Sequence, residues 1–461
     1  MVPATAAEVC GAVRGTLCGD ASRVISNIST DSRTTGPGDW FVPLSGERFD
    51  GHDYIDKALD AGGVGCFCAR LPENLRPDKT YILVQDTKTA LRDLASWYRG
   101  QFDLPVIQIT GSMGKTTLKE LLAGILSQRF CTLKTPGNLN GDIGAPLTLL
   151  SLKPEHQALV IETGMDEFGQ IRWLGEAIRP DIAMITNIDD VHLSHFSSRK
   201  DILKAKAEIF ENLRPGGLAL LNGDDELLNT LRPDCETLFC GFGGFPGVSY
   251  HTTAENFQWL DMESFRTTIV TQKDRYDLTV PSPASHMAGH AALAVTAAER
   301  LGLTKEEIIR GAAAYAPADN RLRLEHLPGG RVMINDSYNA NPTSVRADVS
   351  ILARHPGRKI ALLGDMTELG SAEESGHQRV GTWVGRRGID VLLAVGPRSK
   401  QWMIPAAEEA GCPDVRWFED REAVKAVLPE LFGPGDALLL KASHFFGRFD
   451  LLADYLRQYP F

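Results

Sequence analysis

The stretch "ITGSMGKTTLKE", residues 109 to 120, decides the fold. It is entered from the apolar run "PVIQIT" and left through "LKELLAGILSQRF", whose apolar positions recur at helical spacing. Strand, glycine loop and helix follow in the order by which a parallel nucleotide-binding sheet presents backbone N–H groups to phosphate. Gly111 and Gly114 permit close approach, Lys115 supplies positive charge, and Thr116 supplies a hydroxyl for magnesium. The general G-x-x-x-x-G-K-[ST] pattern would place glycine at position 109, where this chain has Ile109.

Outward from this loop, "HQALVIETG" and "DIAMITNI" have the two-sided hydrophobicity of central parallel strands. Glu162 ends the first, where a strand would deliver a carboxylate to a metal beside the phosphates. "NIDDVHLSHF" gathers Asp189, Asp190, His192 and His195 after the second, without the three or four clear ligands that zinc requires. "KDILKAKAEIF" carries Lys200, Lys204 and Lys206, and by spacing alone it is an amphipathic helix with solvated lysines. Before the loop, the strand-like "DWFVPL" and "TYILVQD" and the helical "DYIDKALDAGG" form a small α/β unit. After it, Pro and Gly interrupt the pattern at "YAPADNRLRLEHLPGG". "RVMINDSY", "KIALLGDM", "DVLLAVG" and "DALLLKAS" then alternate with helical stretches, the mark of a second parallel sheet. The expectation is an α/β protein of three domains: a small α/β domain at 1–100, a central P-loop-type parallel-sheet domain at 101–317, and a Rossmann-like α/β domain at 318–461.

Composition narrows the function. The chain of 461 residues carries a formal net charge of −11, which gives no general attraction to nucleic acid or anionic membranes. Its eight cysteines include a single C-x-C, Cys66 and Cys68, and no C-x-x-C, as expected of reduced thiols in a cytoplasmic protein. "MVPATAAEVC" lacks a basic region followed by an apolar stretch, and no run of about 18 apolar residues occurs, so neither secretion nor a membrane span is expected.

Taken together, the motifs resemble the Mur ligases, which add amino acids to the peptidoglycan precursor. The family's loop is T-G-[ST]-x-G-K-[ST]-[ST], matched by "TGSMGKTT" with the early glycine likewise missing. The resemblance implies that Gly111, Ser112, Met113, Gly114, Lys115, Thr116 and Thr117 hold ATP. It implies two Mg²⁺ ions, one on Thr116 and Glu162, the other on His192 and a carbamylated Lys206. His192 matches an N-x-x-x-x-H loop that starts at Asn187, and Lys206 matches the lysine of an A-K-x-x-[IL]-[FY] helix in "AKAEIF". Lys115, Glu162, His192 and Lys206 become the catalytic candidates. "STDSRTTGPGDWFVPLSGERFDGHDYIDKALDAGG", residues 29 to 63, resembles the UDP-substrate domain of the third- and fourth-addition ligases, implying Thr30, Asp31, Ser32 and Arg33 for the UDP part.

"TPGNLNGDIGAPLTLL" and "NDSYNANPTSV" resemble the fourth-addition member, and "GDMTELG" with His377 beyond it adds to the match. The D-N-P-R motif of the third-addition ligase is absent. The implied activity is ATP-dependent joining of D-alanyl-D-alanine to UDP-MurNAc-tripeptide through an acyl phosphate, by a monomer. Arg321 and Asp336 would contact the nucleotide, Tyr338, Asn339 and Asn341 would shape the dipeptide pocket, and Asn138 and Asn140 would face the central substrate region. The chain departs from the family where "HMAGH" puts Met287 and His290 in place of the adenine-contacting asparagines of H-N-x-x-N. It departs again at Ala442 and His444, in place of a K-G-S-R pattern, in "NLNG" for N-x-N-N, and at Asp189 for a common glycine. A third-addition ligase taking a diamino acid, and a non-catalytic nucleotide-switched binding protein, are the alternatives.

Overall fold

The computed structural model describes residues 1–46, 49–189 and 196–461. Its three larger sheets follow one another along the chain. The first has five strands, in the order Thr16–Cys18, Thr80–Leu83, Gly65–Cys68, Asp39–Phe41 and Asn27–Ser29, parallel except for the first pair.

The central sheet has nine strands. Val106–Thr110 lies between Ile182–Ile185 and Ala158–Glu162, parallel to both, and every residue of these three strands is buried. Such burial on both faces demands the continuous apolar runs seen in the sequence. One face is covered by the helix Lys115–Leu126 together with Met287–Arg300 and Lys305–Ala313. Small residues let these helices approach closely: a Cβ on Gly311 would lie 2.4 Å from the Ile125 Cα. The other face is covered by Gly144–Leu150, Gln170–Ile178 and Thr87–Arg99. This last helix follows the first sheet in sequence, yet its Leu91, Leu94 and Tyr98 share one core with Leu149, Leu159, Ile161 and Leu174 of the central unit.

Beyond Glu236–Gly241 the central sheet continues into Tyr250–Trp259, and then turns antiparallel through Phe265–Val270 and Arg275–Val280. The sequence reading placed no strands there. Arg275–Val280 alternates exposed and buried residues strictly, so each apolar residue is flanked by polar ones and no apolar run forms. The third sheet runs Arg323–Leu327, Arg331–Asn335, Ala437–Lys441, Lys359–Gly364, Val391–Val395 and Asp414–Phe418, antiparallel only at the first pair. Among the described residues no helix is long and apolar enough to cross a membrane. All eight cysteines are free thiols.

Candidate functional site

The carboxyl ends of the central strands face a cavity of about 1700 Å³ to which all three units contribute. The glycine loop forms its floor. Gly111 has φ +149° and an added Cβ would fall 1.8 Å from the Thr186 Oγ1. Gly114, at φ +75°, is the N-cap of Lys115–Leu126, and its Cβ would fall 2.4 Å from the His290 Cε1. Both positions therefore need glycine for backbone conformation and for space. Asn187 shapes the loop between them: its carbonyl accepts from the Ser112 N–H at 2.9 Å and its Oδ1 from the Met113 N–H at 2.9 Å. The Lys115 ammonium donates to the Gly111 carbonyl at 2.8 Å and to that of Ser112 at 3.4 Å. Ile109, where the general pattern has glycine, is buried in the strand Val106–Thr110 below the loop.

Glu162 is 1% exposed and fixed from several sides. Its Oε2 accepts from the Thr116 hydroxyl at 2.9 Å, its Oε1 from the Asn140 amide at 2.7 Å, and its own N–H donates to the Thr135 Oγ1 at 2.8 Å. Among the described residues no group of three His, Cys, Asp or Glu side chains converges as a ready-made metal cage. One carboxylate beside one hydroxyl at a phosphate loop could instead hold a magnesium ion.

The solvated-lysine reading of "KDILKAKAEIF" requires correction. In the helix Arg199–Ala207, Lys200 and Lys204 are exposed, but Lys206 is 1% exposed. A lysine at that depth loses its hydration, and burial pulls its ammonium well below the usual lysine range, with the Lys115 charge acting in the same direction and Asp166 opposing. Glu208, just beyond, accepts from the Gly169 N–H at 2.8 Å and steadies the start of Gln170–Ile178. His192, with Asp190 and His195, lies outside the described residues.

From the third sheet, Asp336 accepts from the Leu322 N–H at 3.0 Å and pairs with Lys441, which is itself 2.8 Å from the Asp348 Oδ2. Burial opposes ionisation of Asp336, but Lys441, a hydrogen bond from Asp348 and the Arg321 charge together leave that carboxyl low; burial and the Asp336 charge push Asp348 well above the carboxylate range. Arg321 stacks over the Tyr338 ring at 3.5 Å, and the Tyr338 hydroxyl accepts from the Asn138 amide at 3.0 Å, bridging the central and third units. Asn341 caps Pro342–Leu352 through a reciprocal contact with Ser344, and Asn339 accepts from the Ala340 N–H at 2.9 Å. His377 is fully buried, with its Nε2 accepting from the Met366 N–H and its Nδ1 facing the Glu373 carbonyl, so it orders the "GDMTELG" segment.

The cavity lining thus brings together Ser112, Met113, Gly114, Lys115, Thr116, Thr117, Asn138, Asn140, Glu162, Arg321, Asp336, Tyr338, Asn339 and Asn341. Thr30, Asp31, Ser32 and Arg33 do not line it. They form a turn after Asn27–Ser29 in which Arg33 grips the Asp31 carboxylate at 2.7 Å and holds it down to about 2. Met287 and His290 both line the cavity; Met287 is fully buried, and the His290 imidazole is driven down to about 3 by burial, its Nδ1 without a hydrogen-bond partner among the described residues.

Sequence reasoning missed several residues. Lys119 and Lys441 are long cations, 0% and 1% exposed, that composition assigns to solvent. Lys441 could have been found from its place at the end of "DALLLK". Arg354 lies over the Trp259 ring at 3.6 Å and donates to the Asp261 and Pro283 carbonyls, docking the third unit on the tip of the central hairpin. No local pattern signals that pairing.

Comparison with known proteins adds three family matches: the Mur ligase family catalytic domain over residues 24–99, the Mur ligase middle domain over 109–298, and the Mur ligase glutamate ligase domain over 321–444. The chain is 36% identical over 406 residues to the UDP-N-acetylmuramoyl-tripeptide–D-alanyl-D-alanine ligase of Escherichia coli strain K12, covering 87% of each. Its structure is similar to a crystal structure of MurF from Acinetobacter baumannii, with a TM-score of 0.89, 31% identity and 99% of each chain covered. It is also similar to the MurF ligase of Thermotoga maritima in complex with ADP, with a TM-score of 0.82, 26% identity, and 94% of this chain and 97% of that one covered.

Proposed function

The chain belongs to the Mur ligase family, and from that membership we propose that it joins D-alanyl-D-alanine to UDP-MurNAc-tripeptide at the expense of ATP. The observation that carries this reading is the convergence, in one cavity, of the phosphate-loop residues 112–117, the fixed Glu162 carboxylate, and the Tyr338–Asn341 segment of the third unit.

The chemistry begins from a poor leaving group. The tripeptide's terminal carboxylate attacks the γ-phosphorus of ATP, forming a C–O–P acyl phosphate and releasing ADP. The dipeptide's free amine then attacks the acyl carbon; phosphate leaves and the amine loses a proton to give the amide. The residues act mainly by holding charge and position. Loop N–H groups around Gly111 and Gly114 receive phosphate oxygens, and Lys115 exchanges its two loop carbonyls for phosphate. Arg321 and Asp336 serve the nucleotide from the third unit, while Tyr338, Asn339 and Asn341 border the dipeptide and Asn138 and Asn140 the tripeptide end. The turn at Thr30–Arg33 serves the UDP part.

Thr116 and Glu162 would hold one magnesium ion; His192 and Lys206 would hold a second. Bound there, magnesium neutralises the triphosphate and so eases approach of an anionic carboxylate. Lys206 suits this only when modified, because an ammonium has no lone pair for a metal. Its depressed basicity favours the free amine, whose nitrogen forms a bond to the carbon of CO₂ and releases one proton, leaving a carbamate with two oxygen donors.

The test is incubation of the purified chain with UDP-MurNAc-tripeptide, ATP, Mg²⁺ and D-Ala-D-Ala, followed by mass spectrometry. The pentapeptide is expected with one phosphate released per amide. Turnover with a diamino acid and UDP-MurNAc-dipeptide instead would assign the third addition, and ATP binding with no amide from any donor would remove the ligase reading.

A further inference from the structure

Lys119 lies one helical turn beyond Lys115 and has no part in the chemistry above. It is 0% exposed. Its ammonium donates to the Thr135 carbonyl at 2.9 Å and to that of Gly137 at 3.1 Å. It also stands 3.2 Å from the Glu120 Oε1 and 3.8 Å from the Glu162 Oε2. The turn it grips is itself part of the site: Thr135 accepts from the Glu162 N–H, and Asn138, next after Gly137, reaches the Tyr338 hydroxyl.

We propose that Lys119 is a positioning residue that holds the 135–138 turn against the Glu162 carboxylate and, as a fixed neighbouring cation, sets how tightly that carboxylate takes a divalent metal ion. The inference rests on the magnesium assignment made above for Thr116 and Glu162.

Two effects of opposite sign follow. An ammonium beside Glu162 and shielded from water occupies the field that a metal ion would use, so it weakens metal binding while keeping the carboxylate in place beforehand. Removing the charge should tighten the metal, whereas freeing the turn should slow the reaction. A residue that merely supported the fold would lower stability and activity together without tightening anything. Glu120 offsets the Lys119 charge, so its neutralisation should act in the reverse direction on the metal.

The experiment is Mn²⁺ titration of the full chain by electron paramagnetic resonance, with a saturating non-hydrolysable ATP analogue, on wild type, Lys119→Met, Glu120→Gln and Glu162→Gln. Lys119→Met is expected to lower the Mn²⁺ dissociation constant about three- to tenfold while kcat falls about tenfold or more. Glu120→Gln is expected to raise the dissociation constant. Unchanged or weaker binding in a folded Lys119→Met overturns the inference. If Lys119→Met does not fold, Glu120→Gln decides, and unchanged or tighter binding there overturns it. Glu162→Gln separates the two claims: undiminished Mn²⁺ binding in that variant means the metal assignment itself fails, whereas loss of binding there leaves the outcome to Lys119 alone.

Discussion

Gly114→Ala tests the phosphate loop at its tightest point. At φ +75° a residue with a Cβ costs about 1–2 kcal/mol in backbone strain. The new methyl would also sit 2.4 Å from the Cε1 and 2.8 Å from the Nε2 of His290. That ring is 6% exposed, so overpacking adds about 1–3 kcal/mol. The expected destabilisation is about 2–5 kcal/mol, read as a shift in urea midpoint at constant slope. Because the loop must move to relieve the contact, kcat/KM for ATP should fall by about 100-fold or more. Combining the change with His290→Ala isolates the steric part. In that background Gly114→Ala should cost only the backbone share of about 1–2 kcal/mol, a coupling of about 1–3 kcal/mol. A single variant within about 0.5 kcal/mol of wild type, or one that costs the same with and without the imidazole, would refute the reasoning.

Three further outcomes are expected. For Lys206, whose folded ammonium lies below its unfolded value, the unfolded chain binds more protons, so wild-type stability rises with pH towards about 10.4. Lys206→Met should accordingly be the more stable protein at pH 7 in CO₂-depleted buffer, with the gap closing as pH approaches that value; an advantage that does not shrink would contradict the assignment. Asp348 is displaced upward, so the folded chain binds more protons and stability is lost as pH climbs from about 4 through its folded value. Asp348→Asn should flatten that fall in thermal scans from pH 4 to 8, and an identical slope would sink the claim. In a cycle of Asn138→Ala and Tyr338→Phe the interdomain hydrogen bond should appear as coupling of about 0.5–1.5 kcal/mol in denaturant titrations; additive effects would show that the contact contributes nothing.

What could be read from the chain follows from the range of the forces involved. The loop at 109–120 was legible because its conformation is set locally by Gly111 and Gly114 and by the apolar runs that flank it. The buried parallel strands were legible for the same reason. The hairpin at 250–280 was not, since its last strand alternates buried and exposed residues, covered on one side by the helices Met287–Arg300 and Lys305–Ala313 that follow it, and so offers no apolar run. Lys206 shows the limit best. Lys200 and Lys204, four apart, share the exposed face of the helix, whereas Lys206, two residues on, falls on the face of the buried Ile202 and Leu203, where a lysine is not expected. Lys119 and Lys441 escaped notice because a cation becomes interesting only once its acid partners arrive from other elements. Family likeness supplied Lys206 where pattern could not, but it had nothing to say of Lys119.

The helix Thr87–Arg99 lies in a single core that runs from the first unit into the central one. Its Tyr98 hydroxyl accepts from the Val2 N–H at 2.7 Å and donates to the Leu152 carbonyl at 2.6 Å, stitching the first residues to the central sheet. A module exchange that takes the first unit from a relative and cuts before this helix would graft a surface onto the wrong counterpart. One that cuts after it would strip a wall from the nucleotide domain. The seam along which such proteins could trade their substrate-recognising part therefore runs through side chains on both banks, and a working chimaera would have to carry Leu149 and Leu174 with the helix they face.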